Sequence, residues 1–238
     1  MHLDILAFAA HPDDVELSCI GTLIKHITKG DKVGVVDLTR GELGTRGTPE
    51  TRKVEAAEAT RLSGLHAREN LGFADGFFSI DDKHLLEVVK MIRKYRPRVV
   101  LANALSDRHP DHGRAAKLVS EACFLSGLIK VETKLEGDTQ SAWRPKQVYH
   151  YIQDRYMKPD FAVDISEVME KKLEIIKTFK TQFYDPNSNE PVTPISTPEF
   201  MDFLYGRAAE MGRLIGVRYA EGFVSERVSG VTDLNSLF

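Results

Sequence analysis

The chain has 238 residues, of which 42% are hydrophobic and 28% are charged, and its formal net charge is −3. This composition is that of an ordinary globular protein without the basic surplus that attracts nucleic acid, so we expect no nucleic-acid partner. No apolar run approaches the ~20 residues needed to cross a bilayer, and two cysteines are too few for a disulfide framework. No secretory signal is visible, so we expect one cytoplasmic domain over residues 1–238, with no membrane attachment and a mobile tail from about residue 225.

The first predicted strand is an apolar run, Ile5 to Ala10, that ends in His11-Pro12-Asp13-Asp14. Because Pro12 disfavours a helical conformation for His11 and itself suits the start of a helix, the strand should end at His11. Adjacent residues on a helix point about 100 degrees apart, so the two aspartates should have different roles. One carboxylate can bind a metal while the other faces a water molecule.

Helical patterns and short β-branched runs then alternate. The predicted elements are a helix from Leu17 to Gly30, a strand at 33–38, a helix from Thr48-Pro49 to Gly64, a strand at 69–71, a helix from Asp81 or Asp82 to Pro97 and a strand at 99–102. Four repeats of a strand followed by a helix are typical of a parallel sheet covered on both faces. We therefore predict an α/β fold, Rossmann-like and doubly wound, with a mostly parallel sheet and helices on both faces.

A second polar cluster, His-Pro-Asp-His at residues 109–112, follows the strand at 99–102. Two clusters that both contain His-Pro-Asp at strand ends favour a catalytic metal site over simple helix capping. Histidine and aspartate ligands suit zinc, and an open fourth position is typical of a catalytic site. In a doubly wound sheet the ligands bind beyond the carboxyl ends of the strands, where four polar residues should meet: His11, Glu42, Asp75 and His109.

The second half of the chain is less regular. It has a polar stretch at 130–144, strands near 148–152 and 161–163, a helix at about 167–180, a loop with four prolines at 184–198, a helix at 198–214 and an edge strand at 217–224. Asp164 and Glu167 are placed for a capping box at the first of these helices. The proline-rich loop contains few apolar residues, so we expect it to lie over the site rather than in the core.

The chain resembles the LmbE-like or PIG-L-type family of zinc-dependent N-deacetylases over residues 1 to about 185. Three motifs carry the resemblance: Ala10-His11-Pro12-Asp13-Asp14, Thr39-Arg40-Gly41-Glu42 and His109-Pro110-Asp111-His112. The resemblance implies zinc as the cofactor, with His11, Asp14 and His112 as its ligands. It also implies that Asp13 is the general base and that His109 stabilises the oxyanion.

Within this family the chain looks most like the deacetylases of bacillithiol biosynthesis, which act on N-acetylglucosaminyl malate and release acetate and a free amino sugar. The likeness also implies a homo-oligomer, either a trimer or a hexamer. Two alternatives stay open. The same zinc chemistry serves an N-acetylglucosaminyl inositol conjugate or a chito-oligosaccharide, and a nonenzymatic metal-binding or sugar-binding module would need no general base.

Arginines near the predicted strand ends favour an anionic substrate, because a guanidinium holds a carboxylate through two parallel hydrogen bonds. Malate has two carboxylates, for which we expect Arg52 and Arg108. The alternative for each arginine is a solvated surface charge. We expect Asp75 to accept hydrogen bonds from sugar hydroxyls, and we place Glu42 among the substrate-binding residues.

Overall fold

The structure, a computed structural model, describes residues 1–237. The strands are β1 (Ile5–Ala9), β2 (Val33–Thr39), β3 (Ala67–Phe73), β4 (Val99–Ala102), β5 (Lys134–Leu135), β6 (Asp138–Thr139), β7 (Gln147–Tyr151), β8 (Phe161–Asp164) and β9 (Ala220–Ser225). The α-helices are α1 (Asp14–Ser18), α2 (Ile20–Thr28), α3 (Pro49–Ser63), α4 (Asp82–Tyr95), α5 (Pro110–Leu125), α6 (Met169–Ile176) and α7 (Pro198–Leu214). Two 3-10 turns lie at Ser166–Val168 and Leu234–Leu237.

Seven of the strands form one sheet in the order β3-β2-β1-β4-β7-β9-β8. From β3 to β7 in this order, neighbouring strands are parallel, whereas β9 is antiparallel to both β7 and β8. The short strands β5 and β6 form a separate hairpin. The mostly parallel α/β fold predicted from the sequence is therefore confirmed.

Strand β1 is buried along its whole length and contributes to a core on each face of the sheet. Ile5, Ala7 and Ala9 pack in a core with α1, α2, α3, α6 and α7. Leu6 and Phe8 point the other way and pack with α4 and α5. Because both faces are covered, the strand reads as a continuous apolar run rather than an alternating one.

The helix predicted from Leu17 to Gly30 is interrupted at Cys19, which separates α1 from α2. The backbone N–H groups of Gly21 and Thr22, at the start of α2, donate to the buried carboxylate of Glu221 at 3.0 and 2.7 Å. A Cβ atom at Gly21 would lie 2.9 Å from Glu221 Oε1, so the glycine permits this approach. The prediction of one continuous helix was wrong because a distant carboxylate caps a second helix start.

Two predictions in the second half of the chain also need correction. Strand β9 is not an edge strand, because it lies between β7 and β8, and β8 forms that edge. The predicted helix at 167–180 is α6, which ends at Ile176, and Asp164 accepts hydrogen bonds from Ser166 rather than forming a box with Glu167. Strand β9 reaches Ser225, where the tail was expected to begin, and the mobility of that tail stays a prediction.

The predicted ends of α3 are confirmed. Thr48 forms a capping box with Thr51 at the start of α3, and Gly64 ends that helix with a φ of 75°. The polar stretch at 130–144 contains the β5–β6 hairpin. Within the described residues, no helix is both long and apolar enough to cross a membrane.

Candidate active site

His11 follows β1 almost directly and lies among three carboxylates. Its Nε2 atom is 3.0 Å from Asp75 Oδ1 and 3.3 Å from Asp111 Oδ2. Its Nδ1 atom is 3.6 Å from Asp14 Oδ2. The two ring nitrogens therefore contact different carboxylates, and Nδ1 is the nitrogen that faces Asp14.

His112, in the first turn of α5, repeats this arrangement. Its Nδ1 atom is 2.5 Å from Asp107 Oδ2, and its Nε2 atom is 3.1 Å from Asp14 Oδ1. Each histidine thus has one nitrogen on a supporting carboxylate and the other near a separate oxygen of Asp14. A carboxylate behind the imidazole is the usual way in which metal-binding histidines are oriented.

Two side-chain amides hold Asp14 in place. Asn103 Nδ2 donates to Asp14 Oδ2 at 3.0 Å, and Gln153 Nε2 donates to Asp14 Oδ1 at 3.0 Å. Asn103 also accepts a hydrogen bond from Ala10 N at 3.0 Å. The sequence reasoning missed both amides, although Asn103 follows β4 and Gln153 follows β7. The rule that ligand-binding residues follow strand ends would have found them if it had been applied to amides as well as to histidines and carboxylates.

Nitrogen and oxygen donors of this kind fit a zinc ion. Two described groups bring one ligand atom from each residue within 4.8 Å of the others: His11 with His109 and His112, and His11 with Asp75 and Asp111. Neither group contains Asp14, although Asp14 contacts both His11 and His112. The geometry therefore brings together the predicted ligands His11, Asp14 and His112, and it places three further possible ligands beside them: Asp75, His109 and Asp111.

The surrounding carboxylates change the protonation of the site in the metal-free protein. Burial opposes a charge on His112, but Asp14 and Asp107 outweigh it and raise the pKa of this imidazole to about 9. Burial also opposes a charge on Asp75, but its hydrogen bond with His11 contributes to lowering the pKa of this carboxyl to about 2. Below about pH 9, a metal ion must therefore displace a proton from His112.

Asp13 is the N-cap residue of α1 and has a φ of 123°, which lies in the left-handed region that non-glycine residues rarely adopt. Arg52, which is 5% exposed, donates from Nη2 to Asp13 Oδ2 at 2.9 Å and to Pro12 O. Its Nη1 atom donates to Gly41 O at 3.4 Å. A side chain at Gly41 would overlap this guanidinium, so the glycine of the Thr39-Arg40-Gly41-Glu42 motif makes room for Arg52.

The pKa of Asp13 reflects two opposed effects. Burial raises it, and Arg52 lowers it, with a result of about 7 in the metal-free protein. The guanidinium of Arg52 is therefore already engaged with the residue that the family resemblance makes the general base. The predicted contact of Arg52 with substrate stays a prediction.

His109 and Arg108 also line the site, and the His109 ring centroid is 4.6 Å from that of His11. His109 is the N-cap residue of α5, where its Nδ1 atom accepts a hydrogen bond from Asp111 N at 3.3 Å. The proton of the neutral imidazole is then on Nε2. Burial and the neighbouring histidines lower the pKa of His109, which favours this neutral form. Arg108 is partly exposed, and its Nε atom is 3.3 Å from Asp154 Oδ2.

Glu42 and Asp75 join two loops of the site. Glu42 is exposed and accepts hydrogen bonds from Asp75 N at 2.9 Å and from Arg40 N at 3.2 Å. Asp75 in turn accepts a hydrogen bond from Leu43 N at 2.9 Å through the oxygen that does not contact His11. Both residues thus hold the loops after β2 and β3, and their predicted contacts with substrate stay predictions.

A cavity of about 220 Å³ lies above these residues. All the predicted site residues except Glu42 lie on its wall: His11, Asp13, Asp14, Arg52, Asp75, Arg108, His109 and His112. The proline-rich segment contributes Ile195, and its Glu190 is 3.4 Å from the Nε atom of the buried Arg46. The segment therefore contributes to the cavity wall, as do Phe200 and Arg207 of α7, and its predicted position over the site stays a prediction.

The chain is similar to proteins of one family. The family model described as PIG-L, GlcNAc-PI de-N-acetylase, matches residues 6–123 and so includes all three motifs. The diacetylchitobiose deacetylase of Thermococcus kodakarensis is 30% identical over 232 residues, which cover 92% of this chain and 81% of that protein. The chain belongs to the PIG-L family of deacetylases.

Solved structures support the same relationship. A conserved protein from Thermus thermophilus has a TM-score of 0.84 and 38% identity, with 97% of this chain and 98% of that chain covered. The N,N'-diacetylchitobiose deacetylase of Pyrococcus horikoshii has a TM-score of 0.78 and 26% identity, with 97% and 88% covered. The family predicted from the three motifs is confirmed.

Proposed function

We propose that this family member is a zinc-dependent hydrolase that removes the acetyl group from an N-acetylglucosaminyl conjugate and releases acetate and the free amino sugar. One observation carries the proposal. His11 and His112 each contact a supporting carboxylate through one ring nitrogen and Asp14 through the other. Beside them lies a further carboxylate, Asp13, with its own arginine.

We assign the metal to His11 Nδ1, Asp14 and His112 Nε2. Asp75 and Asp111 are left out of the ligand set because they contact His11 through Nε2, the nitrogen that faces away from Asp14. Zinc held by these three residues would lower the pKa of a water molecule and polarise the acetamide carbonyl.

The remaining steps belong to residues of the chain. Asp13 Oδ2 is held by Arg52, so we assign Oδ1 to accept the proton of the attacking water. The same carboxyl then returns that proton to the departing amine. His109 donates its Nε2–H to the acetamide oxygen as negative charge develops there. Arg52 acts as a positioning residue because it fixes both the backbone and the carboxylate of the general base.

For the substrate, we propose N-acetylglucosaminyl malate. The likeness of the whole chain to the bacillithiol-type deacetylases and the arginines on the cavity wall support it. A chito-oligosaccharide or an inositol conjugate is the second candidate, which the names of the diacetylchitobiose deacetylase relatives and of the family model favour. We also propose a trimer or a hexamer, which light scattering of the purified protein tests.

Acetate release by the zinc-loaded protein tests the function. The panel is N-acetylglucosaminyl malate, N,N'-diacetylchitobiose and an N-acetylglucosaminyl inositol. We expect the highest kcat/KM with the malate conjugate, and no release above background with Asp13→Asn. A higher value with chitobiose would transfer the proposal to the second candidate, and no release from any of the three would refute it.

A further inference from the structure

Arg207, on α7, is a residue of the cavity wall that the sequence reasoning did not single out. Its Nη2 atom donates to Leu17 O at 2.7 Å, and its Nη1 atom donates to Gln153 O. These contacts use two of the five N–H donors that a guanidinium carries. In the part of the chain that the structure describes, no carboxylate forms an ion pair with Arg207.

The other two arginines of the cavity wall already have acidic partners. Arg52 pairs with Asp13, and Arg108 pairs with Asp154. Burial lowers the pKa of Arg207, yet a guanidinium remains charged at neutral pH. Arg207 is therefore a half-buried cation whose hydrogen bonds go to neutral carbonyl groups, and a carboxylate in the cavity would complete its hydrogen bonds and neutralise its charge.

The neighbouring acidic groups do not supply that neutralisation. Asp107 supports His112, Asp154 faces Arg108, and Glu221 pairs with Lys172 at 2.6 Å. An aromatic ring also lies near Arg207: the Phe203 ring centroid is 5.4 Å from Arg207 Cζ, and Phe203 stacks at 5.8 Å on Phe200, which lines the cavity. Helix α7 therefore contributes both a cation, Arg207, and an aromatic ring, Phe200, to the cavity wall.

We propose that Arg207 binds a carboxylate on the aglycone of the substrate and so makes the enzyme selective for anionic N-acetylglucosaminyl conjugates. The proposal rests on the proposed function, because it places the sugar of the same substrate at the metal. Arg207 replaces Arg52 as the carboxylate-binding residue. Arg108 contributes less, because it is partly exposed and shares its charge with Asp154.

Kinetics with two substrates test this role. Arg207→Gln should lower kcat/KM for N-acetylglucosaminyl malate by roughly thirtyfold, the typical effect of losing one charge-assisted hydrogen bond. The same variant should change kcat/KM for the neutral methyl N-acetylglucosaminide by less than about threefold, because that substrate lacks the carboxylate. Arg213→Gln, an exposed change on the same helix, is the matched control and should affect neither. Equal losses on both substrates would overturn the proposal.

Arg207 also links Leu17 to Gln153, so the glutamine variant needs a check that is independent of turnover. Calorimetry with L-malate on the zinc-loaded protein supplies it. L-malate binding should weaken at least about tenfold in Arg207→Gln and partly recover in Arg207→Lys, which keeps the positive charge. The lysine variant also serves as the test if the glutamine variant does not fold. L-malate binding that does not depend on Arg207 would refute the anion site, even in an active deacetylase. Arg207-dependent binding without acetate release from any conjugate would refute the proposed function alone.

Discussion

Removal of the Arg52 side chain tests whether this residue holds Asp13 in place. Arg52 is 5% exposed and donates hydrogen bonds to Gly41, Pro12 and Asp13. Loss of one partner from a buried ion pair costs about 3 kcal/mol, because the other charge is left without compensation. In a protein of this size, that loss lowers Tm by roughly 6–12 °C.

A double-mutant cycle isolates the contact from the general effect of truncation. The free energy of unfolding is measured for the wild type, Arg52→Ala, Asp13→Asn and the double variant, all without metal. Because Asp13→Asn removes the charge that Arg52 compensates, Arg52→Ala should cost about 2 kcal/mol less in that background. A coupling energy below about 0.5 kcal/mol would show that the contact contributes nothing.

Kinetics of Arg52→Ala then separate positioning from substrate binding. A loosened general base should lower kcat roughly thirtyfold on the malate conjugate and on a neutral N-acetylglucosaminide alike, with little change in KM. Arg52→Lys keeps the charge but loses the fork geometry, so it should recover only part of the rate. A loss of kcat confined to the anionic substrate would contradict the positioning role and would indicate that Arg52 binds the substrate.

Three further predictions concern the metal site. His11→Ala, Asp14→Ala and His112→Ala should each lower the zinc content found by elemental analysis, and full occupancy in all three would contradict the ligand set. Asp13→Gly and Asp13→Ala should both lose turnover. In urea denaturation, however, the free energy of unfolding of the glycine variant should be about 1 kcal/mol higher than that of the alanine variant, because glycine relieves the strain of a φ of 123°. Equal free energies of unfolding would exclude strain at this position. Since the pKa of His112 is raised to about 9, zinc must displace its proton below that pH. Burial opposes a charge on His11, but its hydrogen bonds with Asp111, Asp14 and Asp75 outweigh burial and raise the pKa of this second histidine ligand well above its usual value. Zinc must therefore displace two protons, so the zinc affinity found by chelator competition should rise roughly a hundredfold per pH unit, and a flat profile between about pH 6 and 8 would contradict this.

The parts of the fold that the sequence predicted are those set by local signals. β1 is visible because both of its faces are buried, and its end is visible because Pro12 follows His11. Thr48 and Gly64 mark the ends of α3 through their own backbone and side chains. Strand ends placed His11, Asp75 and the second histidine cluster at one edge because parallel strands share that edge.

The parts that the sequence did not predict depend on partners far away along the chain. Glu221 caps α2 from 200 residues away, and no local pattern near Cys19 indicates this. Arg52 contacts Asp13 across 39 residues, so its task could not be separated from that of a surface arginine. The sequence pattern predicts the two ends of the helix that carries Arg207, but it cannot predict which residues Arg207 contacts, because those contacts depend on tertiary packing.

The most direct test of the central claim is a comparison of zinc content and acetate release in Asp13→Asn and the wild type, with N-acetylglucosaminyl malate as the substrate. The amide keeps the shape of the carboxylate but cannot accept the proton of the water. The proposed mechanism predicts about one zinc ion per chain in both proteins and a kcat at least about a hundredfold lower in the variant. A variant that holds its zinc and still releases acetate at a rate close to that of the wild type would contradict it.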